Sequence, residues 1–467
     1  MKYVLPLALL AGLLFLALGY ILGRESTPQS PNVLFITMDT LRSDRIAAVR
    51  NGQPVMPFLS RAVNEGAHFT RAISPCSWTK PAMASIFTGV SPEAHGVIYT
   101  SKKDANGNDA SDVLSPEWMT LAEWLRVRGY STWAYISNAN LEKSFGFAQG
   151  FDAADYVYKN GASAPEVTDA ALGKLSALKP PFLLYAHYMD PHSPYTPPAL
   201  HKDALGPFPQ TTAYDNTLLD NPMEFMRYYM DCAKIMLGLQ EQPTVPPLSP
   251  GGQAAVEHLY DAEVRFMDEA IERLVTAVRK SRPNTLVVLV SDHGEEFWER
   301  GGMGHGTTLF QEQVHVPLVL MAPDIAPRKI DTTVSTLDLL PTFAAYLKIP
   351  GLSRWEGRGL LAPSEPRPVF AFSKASEQDL QVHIDAIYED GHVLIQDHGH
   401  GWERLFRHET DPGEQQDIAA SDPARAAAMR EKLEAHIRQS RAALNAVDRV
   451  ETVIDPAIRA QQKDLGY

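Results

Sequence analysis

Acidic and histidine side chains stand at the ends of three separate apolar runs in this chain. They are Asp39, Asp190 with His192, and Asp292 with His293. A carboxylate beside an imidazole suits a divalent cation that accepts nitrogen as well as oxygen ligands. Burying two such groups side by side is costly unless a metal ion or another partner compensates. The pattern predicts one divalent metal site built from Asp39, Asp292 and His293.

A hydroxyl that could complete this site is Thr79, which stands just ahead of a predicted helix. Free backbone N–H groups at a helix amino terminus favour an anion. A threonine hydroxyl beside a divalent cation could lose its proton and attack phosphorus or sulfur. Thr79 is therefore predicted to be a metal ligand and nucleophile, although a helix N-cap is the alternative. Lys80 would offset charge on the transferring group.

Two histidines could protonate a leaving group, because histidine titrates near neutral pH. They are His192 and His305, and glycines on both sides of His305 would let a bound group approach the backbone. Asp190 and His192 could also contribute to a second metal site. His95 and His187 are interpreted as structural residues, His187 because it lies inside an apolar run.

Runs of β-branched and aromatic residues alternate with amphipathic segments, which is typical of a sheet with helices on both faces. The predicted strands are 32–38, 68–73, 131–137, 182–189, 285–290 and 316–321. The predicted helices are 56–66, 81–88, 120–128, 167–178 and 252–279. Ligand sites of open α/β sheets lie beyond the carboxyl ends of strands, so we expect the site residues to meet there.

Two later regions differ from this alternation. Residues 197–251 combine prolines, aromatic and polar residues, with a helix predicted only at 223–239. Such a long connection is either an active-site cover or a surface insertion without a role. After Pro341 the chain predicts a small antiparallel sheet followed by a helix. Those strands are predicted at 368–375, 381–388, 391–396 and 403–407, and the helix at 420–447.

The amino terminus is predicted to be a membrane anchor. Residues 3–22 carry no charge, and about 20 apolar residues span a bilayer as a helix. A cleaved signal peptide, the alternative, usually has a shorter apolar run. Lys2 and the positive-inside rule place the body outside the cytoplasm, in the periplasm or outside the cell. The predicted domains are the anchor or signal segment 1–24, a catalytic domain 31–362 and a C-terminal subdomain 365–467.

The composition excludes several classes of protein. The 467 residues are 45% hydrophobic and 21% charged, as in a folded globular protein. The net charge of −14 argues against nucleic acid as a partner. Only Cys76 and Cys232 are present, which excludes zinc-finger and thioredoxin-like patterns. Whether these two cysteines form a disulfide is left open by the sequence.

Several segments, in order over residues 31–420, resemble the sulfatase branch of the alkaline-phosphatase superfamily. They are Pro31–Asp39 with Leu41–Asp44, Phe87–Gly89 with His95–Gly96, Tyr260–Asp268, Ser291–Gly294, Leu337–Thr342 and Leu405–Glu414. The resemblance implies an α/β fold: a large, mostly parallel mixed sheet flanked by helices, and a small C-terminal antiparallel sheet. It also implies an ester hydrolase with one divalent ion, which could be Ca, Mg, Mn or Zn.

The chain departs from the family at the nucleophile. Sulfatases carry a Cys or Ser that is oxidised to formylglycine, in a Cys-x-Pro-Ser-x-Arg type of motif. Counted back from Thr88 and Gly89, this position is Thr79, a secondary alcohol that cannot become formylglycine. Thr40 replaces the family's second aspartate, and His293 replaces its usual asparagine.

The resulting set of Asp, Thr, Asp and His resembles the phosphoryl-transfer members of the superfamily. A threonine alkoxide has no internal elimination route to expel sulfate, which favours phosphate over sulfate esters. We expect a metal-dependent hydrolase acting on a small-molecule, glycan or lipid-head-group ester. The alternatives are a membrane-anchored phosphoglycerol or phosphoethanolamine transferase, and a non-catalytic, metal-stabilised envelope protein that binds glycans or lipid head groups.

Overall fold

The apolar runs of the first part of the chain pair in one eight-stranded sheet. The computed structural model describes residues 30–99, 102–104, 106–238, 240, 242–362, 365–375 and 382–465. The predicted anchor, residues 1–24, lies outside these described residues. Within the described ranges, no helix has both the length and the apolar character needed to cross a membrane.

The large sheet is mostly parallel, and only β7 runs against its neighbours on both sides. Its strands are β1 (Asn32–Met38), β2 (Ala67–Phe69), β3 (Ser131–Ile136), β4 (Tyr156–Tyr158), β5 (Phe182–Tyr188), β6 (Thr285–Ser291), β7 (Leu318–Met321) and β8 (Arg328–Ile330). Their order across the sheet is β8-β2-β7-β6-β1-β5-β3-β4. This arrangement confirms the predicted fold class.

Helices cover both faces of this sheet. They are α1 (Pro57–Ala62), α2 (Thr79–Thr88), α3 (Leu121–Arg126), α4 (Ala164–Leu175), α5 (Pro222–Met236), α6 (Pro250–Ser281) and α7 (Leu339–Leu347). A further long helix, α8 (Pro423–Leu444), packs on the C-terminal sheet. Other, short helices lie at Pro92–His95, Ala199–Ala204, Ala213–Leu219, Gln311–Val314 and Pro456–Asp464. Because side chains alternate along a strand, Ile36 of β1 faces the core under α4 and α6, whereas Phe35 faces α2 and α7.

Two predicted strands are each divided between two sheets. The run predicted at 68–73 forms β2 and then, after a turn, Ala72–Ile73. The run predicted at 316–321 contributes His315–Val316 and then β7. Ala72–Ile73 lies in the middle of a small sheet, between His315–Val316 and Val334–Ser335. Further short strands lie at Val49–Arg50, Gln53–Pro54, Lys102–Lys103, Asp109–Val113, Glu296–Phe297, Met303–Gly304 and Val450–Val453.

The C-terminal strands form the predicted antiparallel sheet. They are β9 (Val369–Ala375), β10 (Val382–Glu389), β11 (His392–Asp397) and β12 (Trp402–Phe406). One face, including Leu394, packs on α8, and the other, including Ile395, packs on Leu309 and Phe310. The division into domains 31–362 and 365–467 stays a prediction.

Close packing of the backbone explains one glycine in the resembling segment Ser291–Gly294. A Cβ at Gly294 would lie 2.2 Å from the carbonyl oxygen of Glu312. Gly294→Ala should therefore lower the free energy of unfolding by about 1–3 kcal/mol. At Gly173, inside α4, such a Cβ meets nothing within 4 Å, so Gly173→Ala should be neutral or stabilising by about 0.5–1 kcal/mol. Urea unfolding measures both, and equal stabilities of the two variants would contradict this packing.

Candidate active site

The carboxyl ends of three neighbouring parallel strands bring the predicted site residues together. Met38 of β1 pairs in register with Tyr188 of β5 and with Ser291 of β6. Asp39 and Asp292 each follow one of these paired residues, so their side chains emerge at the same level of the sheet. Both side chains are fully buried.

Four side chains predicted to share one site do meet at this edge. Thr79 Oγ1 lies 3.4 Å from Asp39 Oδ1 and 3.2 Å from His293 Nε2. His293 Nε2 lies 3.6 Å from Asp39 Oδ1 and 3.5 Å from Asp292 Oδ2. Thr79 is the first residue of α2 and Trp78 occupies the N-cap, so the N-cap alternative for Thr79 is wrong.

A backbone contact determines which nitrogen of His293 faces the site. His293 Nδ1 lies 2.9 Å from the carbonyl oxygen of Gly294, which can only accept a hydrogen bond. Nδ1 therefore carries the proton, and the lone pair of Nε2 points toward the hydroxyl and the carboxylates. This is the orientation that a metal ligand needs.

The turn after β1 is shaped to hold Asp292. Thr40 has φ of +55°, which is unusual for a β-branched residue, and its N–H donates to Asp292 Oδ1 at 3.3 Å. Tyr260 of α6 stabilises this turn, because its hydroxyl donates to the Thr40 carbonyl at 2.9 Å and accepts the N–H of Arg42 at 3.1 Å. Asp292 Oδ2 is buried without a hydrogen-bond partner.

His187, interpreted from the sequence as a structural residue, is buried and also has one ring nitrogen facing this cluster. Its Nε2 lies 3.6 Å from Asp39 Oδ2 and is buried without a hydrogen-bond partner. The Ser137 hydroxyl donates to the His187 carbonyl at 2.6 Å, so it accepts from Nδ1 at 3.2 Å and leaves Nε2 as a lone pair. Ligand atoms of Asp39, His187 and Asp292 all lie within 4.8 Å of one another.

Sequence reasoning also missed Asn138, which follows the end of β3. Its Nδ2 donates to Asp39 Oδ2 at 2.7 Å and to Thr79 Oγ1 at 3.4 Å. The amide thereby fixes the positions of both the carboxylate and the hydroxyl. The rule that functional residues follow strand ends would have found it, since the strand at 131–137 was predicted.

The electrostatics of this cluster favour a divalent cation. Burial and the neighbouring Asp292 raise the pKa of Asp39 well above its usual value, and burial raises the pKa of Asp292 to about 7. Burial lowers the pKa of His293 well below its usual value and that of His187 to about 3. The cluster thus contains two carboxyl groups, two neutral imidazoles and a hydroxyl, and Asp292 Oδ2 and His187 Nε2 have no hydrogen-bond partner. This set of groups fits a divalent cation that binds both oxygen and nitrogen.

A second layer of side chains holds the predicted acid His305. His305 Nδ1 lies 3.0 Å from Glu295 Oε1 and 2.9 Å from the Tyr229 hydroxyl. The His305 ring centroid lies 4.4 Å from that of His293 and 5.0 Å from that of His192. Tyr229 belongs to α5, inside the insertion 197–251, so this insertion covers part of the site.

Other predicted residues have different neighbours. The Lys80 ammonium group bonds to Ser111 and lies 3.9 Å from the ring centroid of Phe145, and both of these contacts lie outside the cluster. The Asp190 carboxyl accepts the N–H of Ala164, whereas the His192 ring packs against that of His305. His95 accepts the Val97 N–H and contacts Ser85, as expected of a structural residue. Cys76 and Cys232 are both free and buried.

The sulfatase family model matches residues 31–349 of the chain. The chain belongs to the sulfatase family. It is accordingly an enzyme of the sulfuric-ester hydrolase class. The resemblance seen in the sequence motifs is thereby confirmed, and it covers the whole of the large sheet.

Individual relatives agree with this assignment. The chain is 27% identical over 386 residues to the uncharacterized sulfatase YidJ of Escherichia coli (strain K12), covering 73% of this chain and 72% of that one. A protein solved with its substrate D-glucosamine-2-N,6-O-disulfate has a TM-score of 0.69 at 18% identity, covering 88% of this chain and 98% of that one. A phosphonate monoester hydrolase from Silicibacter pomeroyi has a TM-score of 0.65 at 20% identity, covering 88% and 95%. These two solved structures share the fold.

Stability should depend on pH and on divalent cations together. The pKa of Asp292 in the folded protein, about 7, exceeds its unfolded value of about 3.9. The folded state therefore binds more protons between these values, and metal-free protein should lose stability as the pH rises through that window. A bound cation favours the ionised carboxylates and should oppose this loss. The rise in Tm caused by Mg²⁺, Ca²⁺, Mn²⁺ or Zn²⁺ over chelator should be larger at pH 8 than at pH 5.

Asp292→Asn provides the matched control for that measurement, because it keeps the shape and removes the charge. It should abolish most of the cation-induced rise in Tm. A rise of the same size in the variant and the wild type would show that the cation binds elsewhere.

Glu295 should act as a positioning residue for His305. Glu295→Gln keeps the contacts with Tyr229 and Tyr195 but weakens the hold on His305 Nδ1, so kcat/KM should fall by about 10–100-fold. The cation-induced rise in Tm should stay unchanged. Steady-state kinetics and thermal unfolding together test this, and an unchanged kcat/KM would argue against the role.

Proposed function

We propose that the protein hydrolyses sulfate or phosphate esters with Thr79 as the nucleophile. The observation that carries the proposal is the position of the Thr79 hydroxyl. Its Oγ1 lies within 3.4 Å of both Asp39 Oδ1 and His293 Nε2, in a fully buried cluster at the amino terminus of α2. Counted back from Thr88 and Gly89, we take this to be the place of the formylglycine precursor in the family motif. Threonine supplies an alcohol there instead of an aldehyde hydrate.

Five side chains would hold one divalent cation in this cluster. They are Asp39, Thr79, His187, Asp292 and His293. When bound there, the cation would balance the two carboxylates, lower the pKa of the Thr79 hydroxyl and offset negative charge on the ester. The mixture of oxygen and imidazole ligands is compatible with Mg, Ca, Mn or Zn to differing degrees.

The chain's own residues carry the remaining steps of the proposal. Thr79 would pass its hydroxyl proton to Asp39 Oδ1, 3.4 Å away, as its Oγ1 forms a bond to sulfur or phosphorus and the bond from that atom to the leaving oxygen breaks. Asn138 holds the hydroxyl in position with its side-chain amide. The partial positive charge at the amino terminus of α2 would stabilise the transferring group.

His305, whose Nδ1 lies 3.0 Å from Glu295 Oε1, would protonate the leaving oxygen, and water would then release the covalent threonyl ester. His192 does not suit this role, because burial lowers its pKa to about 3 and its Nδ1 proton bonds the Ser193 carbonyl.

Sulfate and phosphate esters are the two substrate classes in question. Membership of the sulfatase family favours a sulfate ester, and the relative solved with glucosamine disulfate supports a sulfated glycan. The threonine nucleophile favours a phosphate ester, and the structural similarity to a phosphonate monoester hydrolase supports this second class. Phosphotransfer is the variant in which an acceptor alcohol replaces water. The membrane anchor at 1–24 and a location outside the cytoplasm stay predictions from the sequence.

Substitutions along α2 test the nucleophile. Thr79→Ala should lower kcat by at least about 10³-fold, since no nucleophile remains, whereas Thr79→Ser should keep part of the activity. The matched control is Thr88→Ala at the other end of α2, whose hydroxyl bonds only the Ala84 carbonyl. Cys76→Ala should also stay active, because burial raises the pKa of this thiol to about 12 and leaves it neutral.

The assay uses full-length protein with an aryl sulfate, an aryl phosphate and a bis-aryl phosphate, each with and without chelator. The preferred substrate separates the sulfate and phosphate classes, and product formed on added alcohols identifies phosphotransfer. Loss of activity in Cys76→Ala but not in Thr79→Ala would contradict the assignment of the nucleophile. An absence of turnover with every substrate and cation would favour the glycan- or lipid-binding alternative.

A further inference from the structure

A second group of metal-binding side chains lies on the C-terminal sheet. His383 and Asp385 alternate on β10, so their side chains share one face of the sheet. His398 follows β11, and its N–H donates to the His383 carbonyl at 2.9 Å. This backbone contact brings the two imidazole rings to a centroid distance of 4.2 Å. No residue of this group takes part in the cluster around Thr79.

The distances within this group match those of ligands around a small cation. Asp385 Oδ2 lies 3.1 Å from His383 Nε2 and 2.9 Å from His398 Nε2. The three ligand atoms all lie within 4.8 Å of one another. In a tetrahedral zinc site with bonds of about 2.0–2.1 Å, neighbouring ligand atoms are about 3.3 Å apart. A cation could therefore enter with only small side-chain movements.

Hydrogen bonding alone leaves this group unsatisfied. Asp385 is 1% exposed, and its Oδ1 has no hydrogen-bond partner. His383 Nε2 is also buried without a hydrogen-bond partner, although it is close to Asp385 Oδ2. Buried polar atoms usually have partners, so two unpartnered atoms in one small group indicate a ligand.

The surroundings allow a cation to reach the group. The side chain of His398 is 43% exposed and that of His383 is 33% exposed, which leaves room for water as a further ligand. Lys374 stands opposite His383 in the strand register, but its ammonium group is paired with Glu93. This pairing partly offsets the positive charge that Lys374 places near His398 and Asp385.

We propose that His383, Asp385 and His398 form a second metal site, which binds Zn²⁺ or a similar late first-row divalent ion. Two imidazoles and one carboxylate suit such ions better than Mg²⁺ or Ca²⁺. Because the ligands come from β10 and from the segment after β11, the ion cross-links the C-terminal sheet. This site is independent of the function proposed for the cluster around Thr79.

Zinc content per chain tests the site. Full-length protein is stripped with chelator, titrated with Zn²⁺, dialysed and measured by inductively coupled plasma mass spectrometry. The wild type should retain one equivalent more than His383→Asn or His398→Asn, while Asp39→Asn should keep the additional equivalent. The matched control is His400→Asn, because His400 is a nearby exposed histidine that bonds Asp397 instead.

Circular dichroism and Tm establish that each variant is folded. We expect the histidine variants to fold, because both histidine side chains are partly exposed. Zn²⁺ should also raise the Tm of Asp39→Asn and should fail to raise that of Asp39→Asn combined with His398→Asn. Equal zinc content in the wild type and both histidine variants would overturn the proposal. An equal loss in His400→Asn would do so too, since it would indicate unspecific binding by surface histidines.

Discussion

The central constraint in this structure is the burial of two carboxyl groups at adjacent strand ends. Asp39 and Asp292 are both fully buried, and their register in the sheet keeps them together. Among the described residues, the basic side chains recorded in ion-pair contact with them are histidines, whose pKa values burial lowers. The Lys80 ammonium group, which could have compensated them, contacts Ser111 instead. A divalent cation bound between them would supply the compensating positive charge.

The rest of the site serves to maintain that arrangement. The Ser291 hydroxyl lies 2.5 Å from the Met38 carbonyl and accepts the N–H of Leu41, so it joins the end of β6 to the end of β1. Tyr260 holds the strained turn at Thr40 from the opposite layer. The contacts of Glu295 extend this framework outward to Tyr229, so the insertion 197–251 is coupled to the predicted acid. Chemistry and substrate access are thereby connected through a few buried polar contacts.

Much of the fold could be predicted because its central strands are strongly apolar. The strand predicted at 32–38 matches β1, and those predicted at 182–189 and 285–290 differ from β5 and β6 by one residue. The edge strands β4 and β8 were missed, since three residues give too little pattern to detect. Runs that cross between two sheets were read as single strands, because apolar character alone does not reveal a change of partner.

The site was predictable where chemistry follows strand ends directly, as at Asp39 and Asp292. His187 is interpreted as structural because it lies within a strand, and the contacts of Ser137 show which of its nitrogens faces Asp39. The sequence also does not reveal the direction of the Lys80 side chain, which points away from the cluster because successive residues of a helix point in different directions.

The most direct test of the account is to identify the atom that becomes covalently modified during turnover. Protein mixed with excess substrate and quenched in acid should give a peptide that carries a sulfuryl or phosphoryl group on Thr79, with Cys76 unmodified. A formylglycine at position 76, or an adduct on any residue other than Thr79, would contradict it.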